Sequence, residues 1–205
     1  MSPYRRAISL AAENAGCDRA GAAIVRGVTF SLGPGEGMQL FGPNGSGKSS
    51  LLSMFAGLID LAEGVVGWRV DGAAVEAAPE AGVFFLGHEA SVKPALTAEE
   101  NLRFWAKASG GGDVDAALAA VDALSFRHLR AGRLSAGQKR RVDLARALLV
   151  DREVWLLDEP TAAIDRDGVK IIRKLIDDHL ARGGIAVIAT HDDLGDGFKR
   201  LELAR

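Results

Sequence analysis

The sequence predicts an α/β fold with a mainly parallel core sheet. Residues 38–41, 154–157 and 185–190 form short, continuous apolar runs, which are typical of strands buried on both faces of a parallel sheet. Residues able to bind phosphate or metal follow each run, at the strand end where such sheets form their ligand crevice. A helical apolar pattern at residues 51–55 follows the first run.

The first run leads into a complete phosphate-binding loop. Its glycines allow backbone N–H groups to fold around phosphates at the positive end of the next helix. Lys48 is expected to reach the β- and γ-phosphates, and the Ser49 hydroxyl to bind Mg²⁺. The predicted nucleotide contacts are Gly42, Pro43, Asn44, Gly45, Ser46, Gly47, Lys48, Ser49 and the adjoining Ser50.

The second run ends in two acids, Asp158 and Glu159. Asp158 is placed to hold Mg²⁺, and Glu159 to act as the general base that polarises an attacking water. Adjacent acids after a strand also suit a solvated helix cap. The upstream phosphate loop favours the catalytic interpretation.

Residues 134–138, Leu-Ser-Ala-Gly-Gln, precede a further helical pattern. They resemble the signature motif of ATP-binding cassette (ABC) ATPases, with Ala136 in place of a glycine. The resemblance implies that Ser135 and Gly137 bind the γ-phosphate of ATP held by an opposite subunit, so the working unit is a homodimer. It also implies the cassette fold, with an N-terminal antiparallel part and an inserted helical subdomain.

Two further motifs match the family in order. Residues 160–165 resemble the D-loop, with Asp165 as its acid and Ile164 replacing a common leucine. His191 follows the third apolar run and matches the switch histidine, which orients water and contacts the γ-phosphate. Lys48, Glu159 and His191 are therefore the predicted catalytic residues.

One position departs from the usual cassette. His88 stands nine residues before Thr97, where the family carries the Q-loop glutamine, and becomes an additional candidate Mg²⁺ ligand. Together with residues 96–105, the signature and the D-loop, Leu86-Gly87-His88 resembles the CcmA family, the ATP-binding subunits of the haem exporter of cytochrome c maturation. The resemblance implies integral-membrane partner subunits, indirect involvement of haem, and a peripheral place on the cytoplasmic face of the bacterial inner membrane.

Length fits one cassette domain spanning residues 1–205. We expect a nucleotide-binding core from residues 1–87 and 150–205, with a helical subdomain at 88–149. Residues 113–124 have helical periodicity, and the glycines at 110–112 are expected to join two helices.

Charge, cysteine content and hydropathy limit the kinds of partner and environment that the chain can have. A net charge of −2 and a pI near 6.1 give no basic face for nucleic acid. The basic run at residues 139–141 is interpreted as facing phosphate or a dimer partner, with an ordinary solvated helix face as the alternative. The single Cys17 excludes an internal disulfide and is interpreted as an inert, partly buried thiol. No stretch approaches the roughly 18 to 20 apolar residues that cross a bilayer.

Two assignments stay open between alternatives. Phe104 and Trp105 are either anchors for a membrane subunit or part of the helical core; we prefer the core for Phe104 and consider Trp105 the contact candidate. No aromatic residue lies between Tyr4 and Phe30 to stack on adenine, so either Arg19 or Ile24 is proposed instead.

Other functions compatible with these motifs are an ABC exporter cassette for lipoprotein or drug, a soluble ABC ATPase of DNA repair or chromosome organisation, and an ATP-sensing module without turnover. The soluble class inserts long coiled coils, whereas Ser135 lies only 87 residues after Lys48. Intact Glu159 and His191 argue against a module without turnover.

Overall fold

The computed structural model describes residues 4–19, 21–76 and 82–203. Nine strands lie within this part of the chain: β1 Ile8–Arg19, β2 Ala22–Leu32, β3 Gly37–Phe41, β4 Leu61–Val70, β5 Ala73–Val75, β6 Val83–Leu86, β7 Val154–Asp158, β8 Ile185–Ala189 and β9 Phe198–Glu202. Five α-helices accompany them: α1 Lys48–Phe55, α2 Ala98–Ala108, α3 Val114–Ala120, α4 Ala136–Ala145 and α5 Arg166–Ala181.

The chain divides into two compact units. The first contains Met1–Phe85, Arg152–Glu159 and Asp178–Arg205, and the second contains Leu86–Asp151 and Pro160–Asp177. Residues 160–177 thus group with the helical unit, whereas they lie within the nucleotide-binding core predicted from the sequence. The functional domain boundaries stay a prediction.

The first unit carries two sheets. One has the strand order β2-β1-β4-β5 with antiparallel pairs, and the other has the order β6-β7-β8-β3-β9. The β7–β8, β8–β3 and β3–β9 pairs are all parallel. This confirms the predicted mainly parallel sheet and the N-terminal antiparallel part.

The core of this unit explains why its central strands are mainly apolar. Every residue of β7 and β8 is buried, and only the last residue of β3 is partly exposed. Helix α1 packs with both sheets in one hydrophobic cluster, through Leu51, Leu52 and Phe55. Cys17 is fully buried in the same cluster, deeper than expected, and its burial raises the pKa of its thiol.

Three helices of the second unit, α2, α3 and α4, begin at polar capping residues. Thr97 and Ser135 each form a capping box, with Glu100 and Gln138 respectively, at the starts of α2 and α4. Asp113 caps α3 by accepting a hydrogen bond from the Ala116 amide at 3.0 Å.

Helix α3 is shorter than its periodic pattern. It ends at Ala120, and Asp122 then adopts a left-handed conformation with φ of 52° before a 3-10 turn at Leu124–Phe126. The prediction of a helix to residue 124 is therefore wrong at its C-terminal end. The glycines at 110–112 do join two helices, α2 and α3.

No helix among the described residues combines the length and the apolar character required to cross a bilayer.

Candidate functional site

The phosphate loop joins β3 to α1 in a shape that requires glycine at two points. Gly42 has φ of 146°, and a β-carbon there would lie 2.6 Å from the Leu203 carbonyl oxygen. Gly47 has φ of 96°, and its β-carbon would lie 2.3 Å from a methyl of Val25. Any other residue would be both strained and sterically blocked, so the loop backbone is tightly held against its surroundings.

The loop curls around its own lysine. The Lys48 ammonium donates to the carbonyl oxygens of Gly42 at 2.7 Å and Pro43 at 3.2 Å, and the residue is only 7% exposed. The Ser46 hydroxyl is buried with no hydrogen-bond partner among the described residues. A buried cation and an unmatched hydroxyl suit an anionic, hydrogen-bonding ligand such as a phosphate chain.

The two acids lie where β7 ends. Asp158 is the last residue of β7, pairs with Ala189 of β8, and is 3% exposed. Glu159 has φ of 51°, an uncommon conformation for this residue, and its amide donates to the Ala189 carbonyl oxygen at 2.7 Å. This turn leaves the Glu159 side chain 16% exposed at the sheet edge.

His191 brings the separate sequence motifs together. Its Nε2 lies 2.8 Å from Oδ1 of Asn44, in the phosphate loop, and 3.5 Å from Oε1 of Glu159. The bond to the Asn44 oxygen requires Nε2 to carry a proton. The parallel order β7-β8-β3 produces this convergence, because the three motifs follow neighbouring strands at one edge.

The predicted metal ligands have suitable chemistry. The Ser49 hydroxyl and the Asp158 carboxylate are hard oxygen donors, which Mg²⁺ prefers together with nucleotide phosphates and water. The described part of the chain holds no cluster of three or more His, Cys, Asp or Glu side chains that could bind a metal by themselves.

A cavity of about 570 Å³ beside α1 adjoins the phosphate loop. Arg19, Ser49 and Ser50 line it, together with Asp60, which belongs to none of the sequence motifs. Ile24 instead packs against the Gly47 turn, where its methyl would lie 2.9 Å from an added β-carbon.

Four predicted site residues belong to the second unit and are described within it. Ser135 caps α4, because its hydroxyl accepts from the Gln138 amide at 3.1 Å. A β-carbon on Gly137 would lie 2.3 Å from the Ala163 carbonyl oxygen, so the start of α4 lies directly against the D-loop segment. The Asp165 carboxylate accepts from the Gly168 amide at 2.8 Å, which with Arg141 lowers its pKa.

His88, the fourth, has an exposed side chain. Its main-chain carbonyl and that of Gly87 accept hydrogen bonds from Arg140, at 3.4 Å and 2.7 Å. The segment is therefore fixed by its backbone while the imidazole is open to solvent.

The basic run on α4, residues 139–141, is in part buried in its own unit, which differs from the position predicted from the sequence. Arg140 is buried, and Arg141 pairs with Asp122 at 3.1 Å and with Asp165 at 2.8 Å. Because the Arg140 guanidinium is buried and binds partners in the same unit, its assignment to phosphate or a dimer partner is wrong; for Lys139 and Arg141 the assignment stays a prediction. The helical spacing of Arg140 from Leu144 and Ala147 on the buried face was the available signal.

The exposure of the aromatic pair on α2, Phe104 and Trp105, also differs from the sequence-based preference. Phe104 is 43% exposed, with the Lys93 ammonium 3.8 Å from its ring centroid, so the preference for a core position is wrong. Trp105 is partly buried, with the Arg146 guanidinium 4.0 Å from its ring centroid.

Comparison with known proteins agrees with this geometry. The family described as ABC transporter matches residues 25–162. A solved structure from Pyrococcus furiosus, described as an ABC transporter ATP-binding protein, superposes with a TM-score of 0.82 at 27% identity, over 95% of this chain and 97% of that one.

Curated relatives carry the name cytochrome c biogenesis ATP-binding export protein CcmA. The protein from Paracoccus denitrificans is 48% identical over 91% of this chain and 84% of its own length. The protein from Paramagnetospirillum magneticum is 43% identical over 95% of this chain and 94% of its own length.

The fold and the phosphate-loop site define an ATP hydrolase of the ABC transporter class. Within that class, the chain belongs to the CcmA family of ATP-binding proteins. The family resemblance and the fold class drawn from the sequence are thus confirmed.

Proposed function

We propose that this chain is the ATP-hydrolysing subunit of a membrane export complex for cytochrome c biogenesis, at the cytoplasmic face of the bacterial inner membrane. Two copies would bind two ATP at their mutual interface, and integral-membrane subunits would couple turnover to export of haem or to remodelling of a haem-chaperone complex. Sequence identity of 48% and 43% to the export proteins of two bacteria supports this proposal. Haem itself enters through the family resemblance.

The observation that carries the ATPase proposal is the meeting of His191, Asn44 and Glu159 at the edge of the parallel sheet. A histidine within 3.5 Å of the proposed base, and hydrogen-bonded to the phosphate loop, supports a role in orienting a water beside the terminal phosphate.

Each residue then has a distinct role. Lys48 supplies positive charge at the β- and γ-phosphates, which stabilises negative charge as it develops. Glu159 accepts the proton of the attacking water, and His191 orients that water. Ser49 and Asp158 would hold Mg²⁺, with His88 as an additional candidate ligand. When bound, the ion would neutralise phosphate charge.

The remaining nucleotide contacts follow the same arrangement. Gly42, Pro43, Asn44, Gly45, Ser46, Gly47 and Ser50 would surround the phosphates, and Arg19 would stack on the base in the adjoining cavity. In the dimer, Ser135, Gly137 and Asp165 of each copy would face the nucleotide of the other.

Lys48→Ala and Glu159→Gln, compared in the purified complex with its membrane subunits, test these roles. Lys48→Ala should abolish ATP binding or turnover. Glu159→Gln should retain binding, lose hydrolysis and accumulate an ATP-bound dimer. Equal loss of ATP binding in both variants would contradict the assignment. Lys170→Ala and Asp167→Asn are matched controls, since both side chains are more than three-quarters exposed.

Affinity capture from detergent-solubilised membranes tests the biological assignment. Multi-span haem-handling subunits and bound haem should copurify with the tagged chain. Recovery of permeases for lipoprotein or drugs instead would leave the ATPase proposal intact and reject the cytochrome c role.

A further inference from the structure

The segment of residues 87–91, the His88 segment, is attached to α4 by its main chain. One nitrogen of the Arg140 guanidinium donates to the carbonyl oxygens of Gly87 at 2.7 Å and His88 at 3.4 Å. The Ser91 amide donates to Oδ2 of Asp143 at 3.0 Å. Two residues of α4, less than one helical turn apart, thus hold both ends of this segment.

The attachment is buried. Arg140 is 4% exposed and Asp143 is fully buried, where it also pairs with Arg146. A charge removed from water is strongly destabilising unless its hydrogen bonds are made. The guanidinium is also planar, so its donors have fixed directions that an ammonium lacks. The main-chain position of His88 relative to α4 is therefore well defined.

The His88 imidazole, by contrast, is exposed. The backbone attachment determines where this side chain begins. The helix that supplies this attachment starts at Ser135 and Gly137, which belong to the proposed nucleotide contacts.

We infer that Arg140 is a positioning residue for His88, holding the His88 segment so that it moves as one body with the Ser135–Gly137 end of α4. The inference rests on the proposed ATPase function and adds to it a residue that would act only through His88. Arg140 itself contacts main-chain carbonyls and has no assigned contact with nucleotide.

A double-mutant cycle in the intact complex tests this inference. Arg140→Gln, His88→Ala and the double variant are compared for kcat, for KM of ATP and for melting temperature. Misplacement of a reacting group by about 1 Å costs on the order of 100-fold in rate, so Arg140→Gln should lower kcat by roughly 10- to 100-fold with KM little changed. The double variant should be no slower than His88→Ala, because the two side chains act on one step.

Two further variants separate positioning from general damage. Lys170→Gln removes the same charge from an exposed side chain of the same unit and should leave kcat near the wild-type value. Arg140→Lys retains the buried charge without the planar group and should give an intermediate kcat. If Arg140→Gln does not fold, the cycle is carried out with Arg140→Lys.

The contradicting results are distinct. Additive losses of kcat in the double variant, or a loss that only follows a fall in melting temperature, would overturn the inference while leaving the ATPase proposal intact. A wild-type complex that does not hydrolyse ATP would overturn the proposed function and this inference with it.

Discussion

His179 makes the stability of the first unit depend on pH. The residue is 2% exposed and stacks on Trp155 with ring centroids 4.1 Å apart. Its Nε2 donates to the Ile185 carbonyl oxygen at 2.9 Å, so Nδ1 is the acceptor for the Tyr4 hydroxyl at 2.8 Å. These bonds fix the neutral imidazole, and burial is the main cause that lowers its pKa to about 4.

The magnitude follows from the difference between folded and unfolded protein. An unfolded histidine has a pKa near 6.5, and each unit of difference corresponds to about 1.4 kcal/mol. Because the folded pKa of His179 is lower, the unfolded chain binds the proton more readily. The full stability is therefore present above about pH 6.5, and roughly 3 kcal/mol is lost as the pH falls to about 4.

Urea unfolding between about pH 7 and pH 4.5 measures this loss. His179→Gln should be less stable at neutral pH, since it loses the stacking on Trp155, but its stability should change less across this range. His128→Gln is the matched control, because His128 is 81% exposed, and it should retain the wild-type slope. Equal slopes for His179→Gln and the wild type would refute the reasoning.

Three further predictions concern the second unit. Gly137→Ala should lower the free energy of unfolding by about 1 to 3 kcal/mol, because its β-carbon would overlap the Ala163 carbonyl. The control Ala136→Gly should lower it by only about 1 kcal/mol. Chemical denaturation without nucleotide measures both, so that an effect on packing is separated from an effect on ATP contacts. Ala163→Gly should raise the melting temperature slightly, since glycine adopts the φ of 60° without strain, and a lower melting temperature would contradict that explanation. Glu99→Gln should lower the midpoint of urea unfolding at pH 7 but not near pH 2. Hydrogen bonds from Arg127 hold the pKa of Glu99 at about 2, so the stabilisation by its charge is lost between about pH 4.5 and pH 2. An equal shift of the midpoint at both pH values would exclude this role for the charge.

The elements that sequence alone predicts well are those with local causes. The apolar run at 154–157 becomes β7, and the run at 185–190 becomes β8, because strands buried on both faces need apolar residues at every position. The phosphate loop likewise depends on closely spaced glycines. That the loop lies close to Glu159 and His191 follows once strands β3, β7 and β8 are known to be parallel neighbours.

The features that the sequence misses depend on tertiary contacts. Helix α3 ends at Ala120 although the apolar pattern continues, because Asp122 reverses the chain without the usual glycine. Arg140 has the appearance of a surface residue, but the carbonyls it binds come from residues more than fifty positions earlier. The exposure of Phe104 is also missed, because it depends on packing partners that the local sequence pattern does not specify.

The lysine inside the phosphate loop has a consequence for the thermodynamics of nucleotide binding. An ammonium has three N–H donors, and those facing the Gly42 and Pro43 carbonyls close the loop on itself. In the proposed function, a third donor would remain for a phosphate. The loop is thus preorganised during folding, and less conformational entropy remains to be lost when a ligand arrives.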